Sequence, residues 1–213
     1  MKKTMNLCKL ALVVMAFALA PTLNAQMASD KMMNDTESSA GRMMSDNMMN
    51  AAPPKVGEKA PDFALKTLDG QSVRLNDLTA RSDVVLVELR GWPGYQCPLC
   101  TIQVHDFVRN AEKIKATGVQ VVMIYPGPAD DLKAHATEFL SDKSWPEGYL
   151  FVLDPDYRVT KAYGLRWDAP GETAYPSTFI INQEGKVTYA HISREHGNRV
   201  VSDTVLKALP PMM

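Results

Sequence analysis

The most informative stretch of the chain is VVLVELRGWPGYQCPLC, residues 84 to 100, in which an apolar run leads directly into two cysteines. Residues 84–89 are apolar except for Glu88, a composition that predicts a strand covered on both faces of a sheet. After Cys100, apolar residues recur at helical spacing as far as Ile114. This part of the sequence therefore predicts a strand, a loop and a helix, with both cysteines where the helix begins.

Strand and helix patterns alternate on both sides of this unit. Residues 63–65 and 72–75 flank a turn at Asp69-Gly70 and predict an N-terminal β-hairpin. The later patterns predict strands at 119–125 and 149–153, helices at 129–141 and 156–163, a hairpin at 177–192 and a last helix at 198–209. Such alternation predicts an α/β fold in which a central mixed sheet is flanked by helices.

The first 25 residues have the pattern of a secretory signal peptide. Lys2 and Lys3 precede an apolar run, residues 10–20, and Ala25 is a small residue suited to a cleavage site. The run is shorter than the roughly 20 residues that span a bilayer, so stable membrane insertion is not expected. We expect cleavage after Ala25 and export to a periplasm or to the outside of the cell. Removal of three lysines would change the formal charge from −1 to −4, and nucleic acid is not an expected partner.

Residues 26–54 differ in composition from the rest of the chain. They carry seven of its 13 methionines among Ser, Asp and Asn, and they close on Pro53-Pro54, which predicts a disordered, Met-rich tether. Thioethers are soft ligands for Cu(I), so copper binding is one interpretation of the methionines, and a polar spacer is the other. Residues 55–213 are globular in composition and long enough for one domain with its own core.

The two cysteines of the globular part are expected to carry chemistry. Cleavage would remove Cys8 and leave only Cys97 and Cys100, which close too short a loop to constrain the unfolded chain. The positive end of a helix dipole favours a thiolate, and Pro98 suits the first helical turn. Zinc would need two further ligands, and the four histidines offer no paired motif, so no metal and no cofactor are predicted.

Three further segments resemble a known family. They are VGEKAPDFALKTLDGQSVRLNDL at 56–78, DPDYRVTKAYGL at 154–165 and YPSTFIINQEGKV at 175–187. Together with the cysteine pair they resemble the redoxin branch of the thioredoxin-fold superfamily, specifically the alkyl hydroperoxide reductase/thiol-specific antioxidant (peroxiredoxin) family, over about residues 55–209. The resemblance implies a thioredoxin-like fold and an antioxidant oxidoreductase. Such an enzyme reduces peroxides or disulfides through a Cys97–Cys100 dithiol/disulfide cycle and is recycled by an external, thioredoxin-like thiol reductant.

The resemblance also gives places to individual residues. Counting from Pro93, Cys100 stands where the family has its peroxide-attacking cysteine, and Cys97 stands where the family has a threonine. Gln103 replaces the usual glutamate, and the arginine that the family would place near Pro176 is missing. In thioredoxin-like reductases the first cysteine attacks instead. Two orders therefore stay open: Cys100 attacks a peroxide and Cys97 resolves it, or Cys97 attacks a disulfide and Cys100 releases it.

Other candidates near the cysteines are aromatic residues and prolines. Trp92 and Tyr95 either shape the approach of a substrate or serve packing alone. Pro93 belongs to the family's motif. Tyr175 and Pro176 open a segment that resembles the thioredoxin-type cis-proline loop, which packs against the cysteine pair.

Charged candidates complete the predicted site. Glu88 is either a buried acid that takes protons during disulfide chemistry or a solvated residue at the sheet edge. His196 and Arg199 either supply a proton and the missing cation or belong to a polar loop at the start of a helix. Two other functions also remain open: a copper-handling thioredoxin-fold protein that uses the cysteine pair and the tether, and a redox-inactive binding domain. The three-residue spacing of the cysteines argues against copper delivery, for which relatives of this fold usually space them four apart.

Overall fold

Seven strands form one sheet in residues 51–210, the part of the chain that the structure, a computed structural model, describes. The strands are β1 Ala64–Thr67, β2 Ser72–Arg74, β3 Val84–Glu88, β4 Gln120–Gly127, β5 Tyr149–Pro155, β6 Ser177–Ile181 and β7 Val187–Ile192. The helices are α1 Leu75–Thr79, α2 Pro98–Arg109, α3 Ala111–Lys115, α4 Leu132–Leu140, α5 Arg158–Ala162 and α6 Ser202–Ala208. The spatial order of the strands is β2-β1-β5-β4-β3-β6-β7.

The centre of the sheet is parallel and its margins are antiparallel. β3, β4 and β5 run parallel, while β6 pairs antiparallel with β3 and β1 pairs antiparallel with β5. The hairpins β1–β2 and β6–β7 extend the sheet on its two sides. The predicted α/β class, with a central mixed sheet flanked by helices, is confirmed.

Each face of the sheet has its own core. Val85 and Val87 of β3 belong to the core that also contains Cys97 and Cys100 and is covered by α2, α3, α4 and α6. The alternate residues of the same strand, such as Leu86, belong to the opposite core, which α1 and α5 cover. Burial on both faces explains the run of apolar residues from Val84 to Val87 in this strand.

The predicted helices are shorter in the structure, and two of these differences affect the site. The helix after the cysteines divides at Asn110, whose backbone leaves helical geometry and whose side-chain amide donates to the carbonyl of Asp106. Short polar side chains of this kind compete with the helical backbone for hydrogen bonds. The last helix begins at Ser202, because Asn198 adopts a left-handed φ of 51° and residues 198–201 form a loop. Within residues 51–210 no helix is long and apolar enough to cross a membrane.

The N-terminal end of the described chain packs on the domain. The backbone of residues 51–53 lies against Gly164, and Pro54 is buried, so the last four residues of the predicted tether belong structurally to the globular part. The predicted signal peptide, residues 1–25, and the rest of the tether lie outside the described residues, and both stay predictions.

The loop between β3 and α2 lies tightly against β4. The N–H of Trp92 donates to the carbonyl of Pro126 at 3.0 Å, and Gly91, with a φ of 70°, approaches that carbonyl so closely that a Cβ atom would clash with it. Only glycine combines a positive φ with such an approach. This contact fixes where the chain enters the helix that begins at the cysteines.

We therefore expect Gly91→Ala to lower the free energy of unfolding by about 3 kcal/mol or more, because the new methyl group overlaps backbone atoms. Gly94→Ala is the matched control in the same loop: its φ of 103° is also positive, but no heavy atom lies within 4 Å of its Cβ position. Its cost should stay near the roughly 1–2 kcal/mol of backbone strain alone. Urea unfolding of both variants makes the comparison, and equal losses would contradict the proposed contact.

Candidate active site

Cys97 and Cys100 meet at the first turn of α2. Cys97 is the N-cap residue, with extended backbone angles, and its sulfur accepts the N–H of Cys100 at 3.3 Å. Pro98 is the first helical residue, where its missing N–H leaves no helical bond unmade. Both cysteines are free thiols, 3% and 0% exposed respectively, so the pair is sheltered but lies at the end of the helix that favours negative charge.

The two thiols differ strongly in acidity. The largest influence on Cys97 is a hydrogen bond donated by the Cys100 thiol, which lowers the pKa of Cys97. Burial raises this pKa, but Arg199 and the backbone N–H of Cys100 lower it again, and the resulting pKa of Cys97 is about 6. Burial raises the pKa of Cys100 well above its ordinary value, and its bond to Cys97 raises it further. At neutral pH the pair therefore holds a Cys97 thiolate next to a protonated Cys100, and Cys97 is the better nucleophile.

Arg199 reaches both sulfur atoms from the loop before α6. Its Nη1 lies 3.5 Å from Cys100 Sγ and its Nη2 lies 3.7 Å from Cys97 Sγ. The same Nη1 donates to Gln103 Oε1 at 3.2 Å, so the glutamine in the place of the family's glutamate helps to hold the guanidinium. The cation that the sequence lacks near Pro176 is thus present in space, from a position 23 residues further along.

The loop that carries Arg199 is held by several hydrogen bonds. Its first residue, Ser193, donates its N–H to the carbonyl of Pro176 at 2.9 Å, and the His191 ring bonds the carbonyl of Asn198 at 2.7 Å. Arg199 Nε donates to the carbonyl of His196 at 2.9 Å. We name residues 193–199 the arginine loop. Pro176, a predicted site residue, is buried and contributes by holding this loop.

A second arginine, Arg90, belongs to a buried network that involves Tyr95 of the active-site loop. Arg90 is 3% exposed and donates to Glu172 Oε2 at 2.8 Å, to the Tyr95 hydroxyl at 2.6 Å and to the carbonyl of Gly171 at 2.8 Å. Its charge also lowers the pKa of Cys97. Tyr95 is half exposed, so it ends the guanidinium's network at the surface beside the cysteines.

Trp92 fixes the active-site loop to α4. Its ring stacks on His135 with centroids 3.6 Å apart and planes 10° apart. From the same loop, Gln96 donates to the carbonyl of His135 at 2.9 Å and accepts from the Tyr125 hydroxyl at 3.0 Å. Pro93 lies between these anchors and is partly buried. The aromatic residue thus has a packing contact in the structure, and its predicted effect on substrate approach stays a prediction.

Glu88 lies on the face of the sheet away from the thiols. It is 2% exposed, so the prediction of a solvated residue at the sheet edge is wrong. The two-residue alternation of a strand turns it toward the opposite core, and the Thr160 hydroxyl lies 2.7 Å from Glu88 Oε1 and 2.7 Å from Asp154 Oδ2. The structure does not bring this acid to the cysteines, and its predicted role in proton transfer has no direct contact to support it.

Glu88 and Asp154 form a buried pair of acids in which one carboxyl group must be protonated. A hydroxyl carries one hydrogen, so Thr160 can donate to only one carboxylate and must accept from the other. Asp154 also accepts the N–H groups of Val159 and Thr160, which favour its charged form. Burial raises the pKa of Glu88 well above its ordinary value, and the nearby Asp154 adds to the effect. Glu88 is therefore the protonated partner.

We expect Glu88→Gln to stabilise the protein increasingly as pH rises from 5 to 8. The folded chain keeps a proton on Glu88 that the unfolded chain releases above about pH 4.5, so folding of the wild type weakens with rising pH until its raised pKa is passed. The glutamine amide still donates to Thr160 and does not titrate. Thermal unfolding at pH 5 and pH 8 measures the effect, with exposed Glu147→Gln as the control. A constant difference between Glu88→Gln and wild type would contradict it.

The cis-proline expected from the resemblance is not found. No peptide bond among residues 51–210 is cis, so Tyr175–Pro176 adopts trans, the lower-energy form of such a bond.

Arg90 and Glu172 were missed by sequence reasoning. Arg90 lies two residues after β3, and a charged residue so close to a buried strand is a local signal that could have identified it. Glu172 is 82 residues away from Arg90 in the chain and has no local pattern that would identify it.

No group of three His, Cys, Asp or Glu side chains within residues 51–210 is placed to hold a metal ion. The methionine-rich residues 26–50 lie outside the described chain, so copper binding by the tether stays a hypothesis. A Cu(I) titration of the full chain, with and without those methionines, tests it.

Comparisons with known proteins show the family to which the chain is similar. A family model described as Redoxin matches residues 55–206. A Helicobacter pylori protein named as a peroxiredoxin is 32% identical over 155 residues, which are 69% of this chain and 95% of that protein. The thiol-disulfide oxidoreductase ResA of Bacillus subtilis is 30% identical over 131 residues, which are 62% of this chain and 64% of that protein.

Solved structures give the same picture of the fold. A Chlorobium tepidum protein named as a thiol:disulfide interchange protein is similar with a TM-score of 0.54 and 28% identity, over 73% of this chain and 98% of that one. The peroxidoxin BcpB of Mycobacterium tuberculosis is similar with a TM-score of 0.56 and 23% identity, over 73% of this chain and 96% of that one. These neighbours confirm the predicted thioredoxin-like fold.

Proposed function

The chain belongs to the redoxin family and is an oxidoreductase, and we propose that it reduces disulfides through attack by the Cys97 thiolate. The observation that carries this proposal is the contrast between the two thiols: Cys97 ionises at a pKa of about 6, whereas burial keeps Cys100 protonated. A nucleophile of this kind suits thiol–disulfide exchange near neutral pH.

The reaction has two steps. The Cys97 thiolate attacks one sulfur of the substrate disulfide, forms a mixed disulfide and releases the other sulfur as a thiolate. Cys100 then gives its proton to the released thiolate, attacks the Cys97 sulfur and releases the second substrate sulfur as a thiolate, which leaves a Cys97–Cys100 disulfide. Arg199 lies within 3.7 Å of both sulfurs and stabilises the negative charge as it passes between them.

Peroxide reduction is the second candidate, and Arg199 is the observation that favours it. In this reaction the Cys97 thiolate attacks a peroxide oxygen and becomes a sulfenic acid, while the leaving oxygen departs as an alcohol or water after protonation. Cys100 then condenses with the sulfenic acid, releases water and closes the same disulfide. A guanidinium beside the attacking sulfur stabilises the charge on the leaving oxygen. Cys97 attacks here too, although the resemblance gives that part to Cys100.

The cycle needs an external thiol reductant, which we propose to be a thioredoxin-like protein. The reductant's thiolate opens the Cys97–Cys100 disulfide, and a second thiol of the reductant completes the transfer of two electrons. We also propose that the enzyme works after export, with Gln26 as its first residue. An intact mass of the protein secreted by an expression host tests the cleavage point.

Stopped flow separates the two substrates. Reduced full-length chain carrying Cys8→Ser is mixed with a small aromatic disulfide or with hydrogen peroxide, and the loss of thiols is followed. Reaction with the disulfide at least about 10²-fold faster than free cysteine, with peroxide near the rate of free cysteine, supports a disulfide reductase. The reverse result supports a peroxidase, and slow reaction with both would overturn the proposed function.

A further inference from the structure

We propose that Glu172 is a positioning residue that joins the buried Arg90 to the arginine loop and so holds the Arg199 guanidinium beside the Cys97 sulfur. The inference rests on the proposed function of Cys97 and extends it to the residues that make this thiol a thiolate. Glu172 touches neither sulfur, so it would act only through its partners.

The two oxygens of the Glu172 carboxylate serve different parts of the chain. Oε2 accepts Arg90 Nε at 2.8 Å, and Oε1 bonds the His196 Nε2 at 2.8 Å. Its side chain is 12% exposed and that of Arg90 4%, whereas that of His196 is 48% exposed. Although burial opposes ionisation, these hydrogen bonds hold the pKa of Glu172 below its usual range. A charged carboxylate therefore links a buried cation to a surface loop.

The His196 end of this link leads to Arg199. The ring of His196 bonds Glu172, and its backbone carbonyl accepts Arg199 Nε at 2.9 Å. Arg199 in turn reaches Cys97 Sγ and Cys100 Sγ. The position of the second guanidinium thus depends on where Glu172 holds His196.

Loss of the Glu172 carboxylate would cost more free energy at Arg90, which is buried, than at His196, which is half exposed. A buried guanidinium without an opposite charge is costly, so loss of the carboxylate would move Arg90 toward water or weaken its hold on Tyr95. Glutamine at position 172 has the same size and keeps one acceptor oxygen for Arg90, but it carries no charge and can bond His196 Nε2 only by donating its amide N–H to the neutral ring. Loss of the carboxylate should therefore disturb both cations at once.

The test measures the reactivity of Cys97 across pH. Reduced full-length chain with Cys8→Ser is given a brief pulse of iodoacetamide between pH 4 and 10, and mass spectrometry quantifies the label on Cys97. We expect Glu172→Gln to lower its labelling rate at pH 6 about tenfold, because the titration midpoint moves upward when opposite charge is lost. Glu172→Asp should recover part of the rate, since it keeps both acceptor oxygens.

Two further variants keep the test decisive. His196→Ala removes only the exposed end of the link and should fold even where Glu172→Gln does not; we expect a smaller loss, about two- to fivefold. Glu147→Gln removes a carboxylate that is 90% exposed and should change nothing. An unchanged Cys97 midpoint in Glu172→Gln, or in His196→Ala where the former fails to fold, would overturn the inference. If wild-type Cys97 itself titrates near its ordinary range, it is the proposed function that fails instead.

Discussion

Cys97→Ser should lose at least about 10³-fold in turnover with any substrate, whereas Cys100→Ser should keep the first chemical step. The structure makes Cys97 the thiolate and the N-cap of α2, so its loss removes the nucleophile. Cys100 is needed only to resolve the intermediate. Its serine variant should therefore react once, at a rate within about tenfold of wild type, and then stop as a mixed disulfide or a sulfenic acid.

A single-turnover experiment separates these outcomes. Each reduced variant is mixed with a molar equivalent of disulfide, and intact mass shows whether the substrate's thiol stays attached. Accumulation of an adduct on Cys97 in Cys100→Ser agrees with the account. An adduct on Cys100 in Cys97→Ser, formed at the wild-type rate, would reverse the assignment of the two cysteines.

Arg199→Met should lower the rate of the first step at pH 7 about 10- to 100-fold. The guanidinium lies 3.7 Å from Cys97 Sγ, and its charge helps to keep the pKa of that thiol at about 6. Methionine has a similar length but no charge, so the thiolate loses stabilisation in the free enzyme and the leaving group loses it in the transition state. The pH–rate profile should move to higher pH, and the rate at high pH should recover only in part.

Arg194→Met is the matched control, because Arg194 belongs to the same arginine loop. Its guanidinium lies 4.6 Å from the centre of the Tyr175 ring and is not bonded to either cysteine. We expect its rate and its pH–rate profile to stay within about twofold of wild type. Equal losses in the two variants would mean that the loop, and not the Arg199 charge, supports the reaction.

The parts of the site that follow local patterns could be predicted from the sequence. A run of apolar residues predicts β3, and apolar residues at helical spacing predict α2. The position of Cys97 at the start of a helix therefore follows from its neighbours in the chain. The identity of the nucleophile could not be predicted in this way, because it depends on the burial of Cys100 and on arginines that are distant in the sequence.

Arg199 shows why the sequence could offer such a contact only as one of two alternatives. It lies 99 residues from Cys100, and the helical pattern from 198 predicted a helix where the left-handed Asn198 instead opens a loop. Glu88 shows the opposite case. Strand alternation separates it from Val87, but only the structure shows that α2 covers the Val87 face. Glu88 is therefore close to the cysteines in the sequence but lies on the opposite face of the sheet.

The central claim is that Cys97 is the thiolate and Cys100 the protonated partner. Pulse labelling of both thiols in one reduced wild-type sample tests it directly, with iodoacetamide between pH 4 and 10 and mass spectrometry at each cysteine. The account predicts a Cys97 midpoint at about pH 6 and little labelling of Cys100 below pH 9. Labelling of Cys100 at lower pH than Cys97 would contradict it and return the attacking role to Cys100.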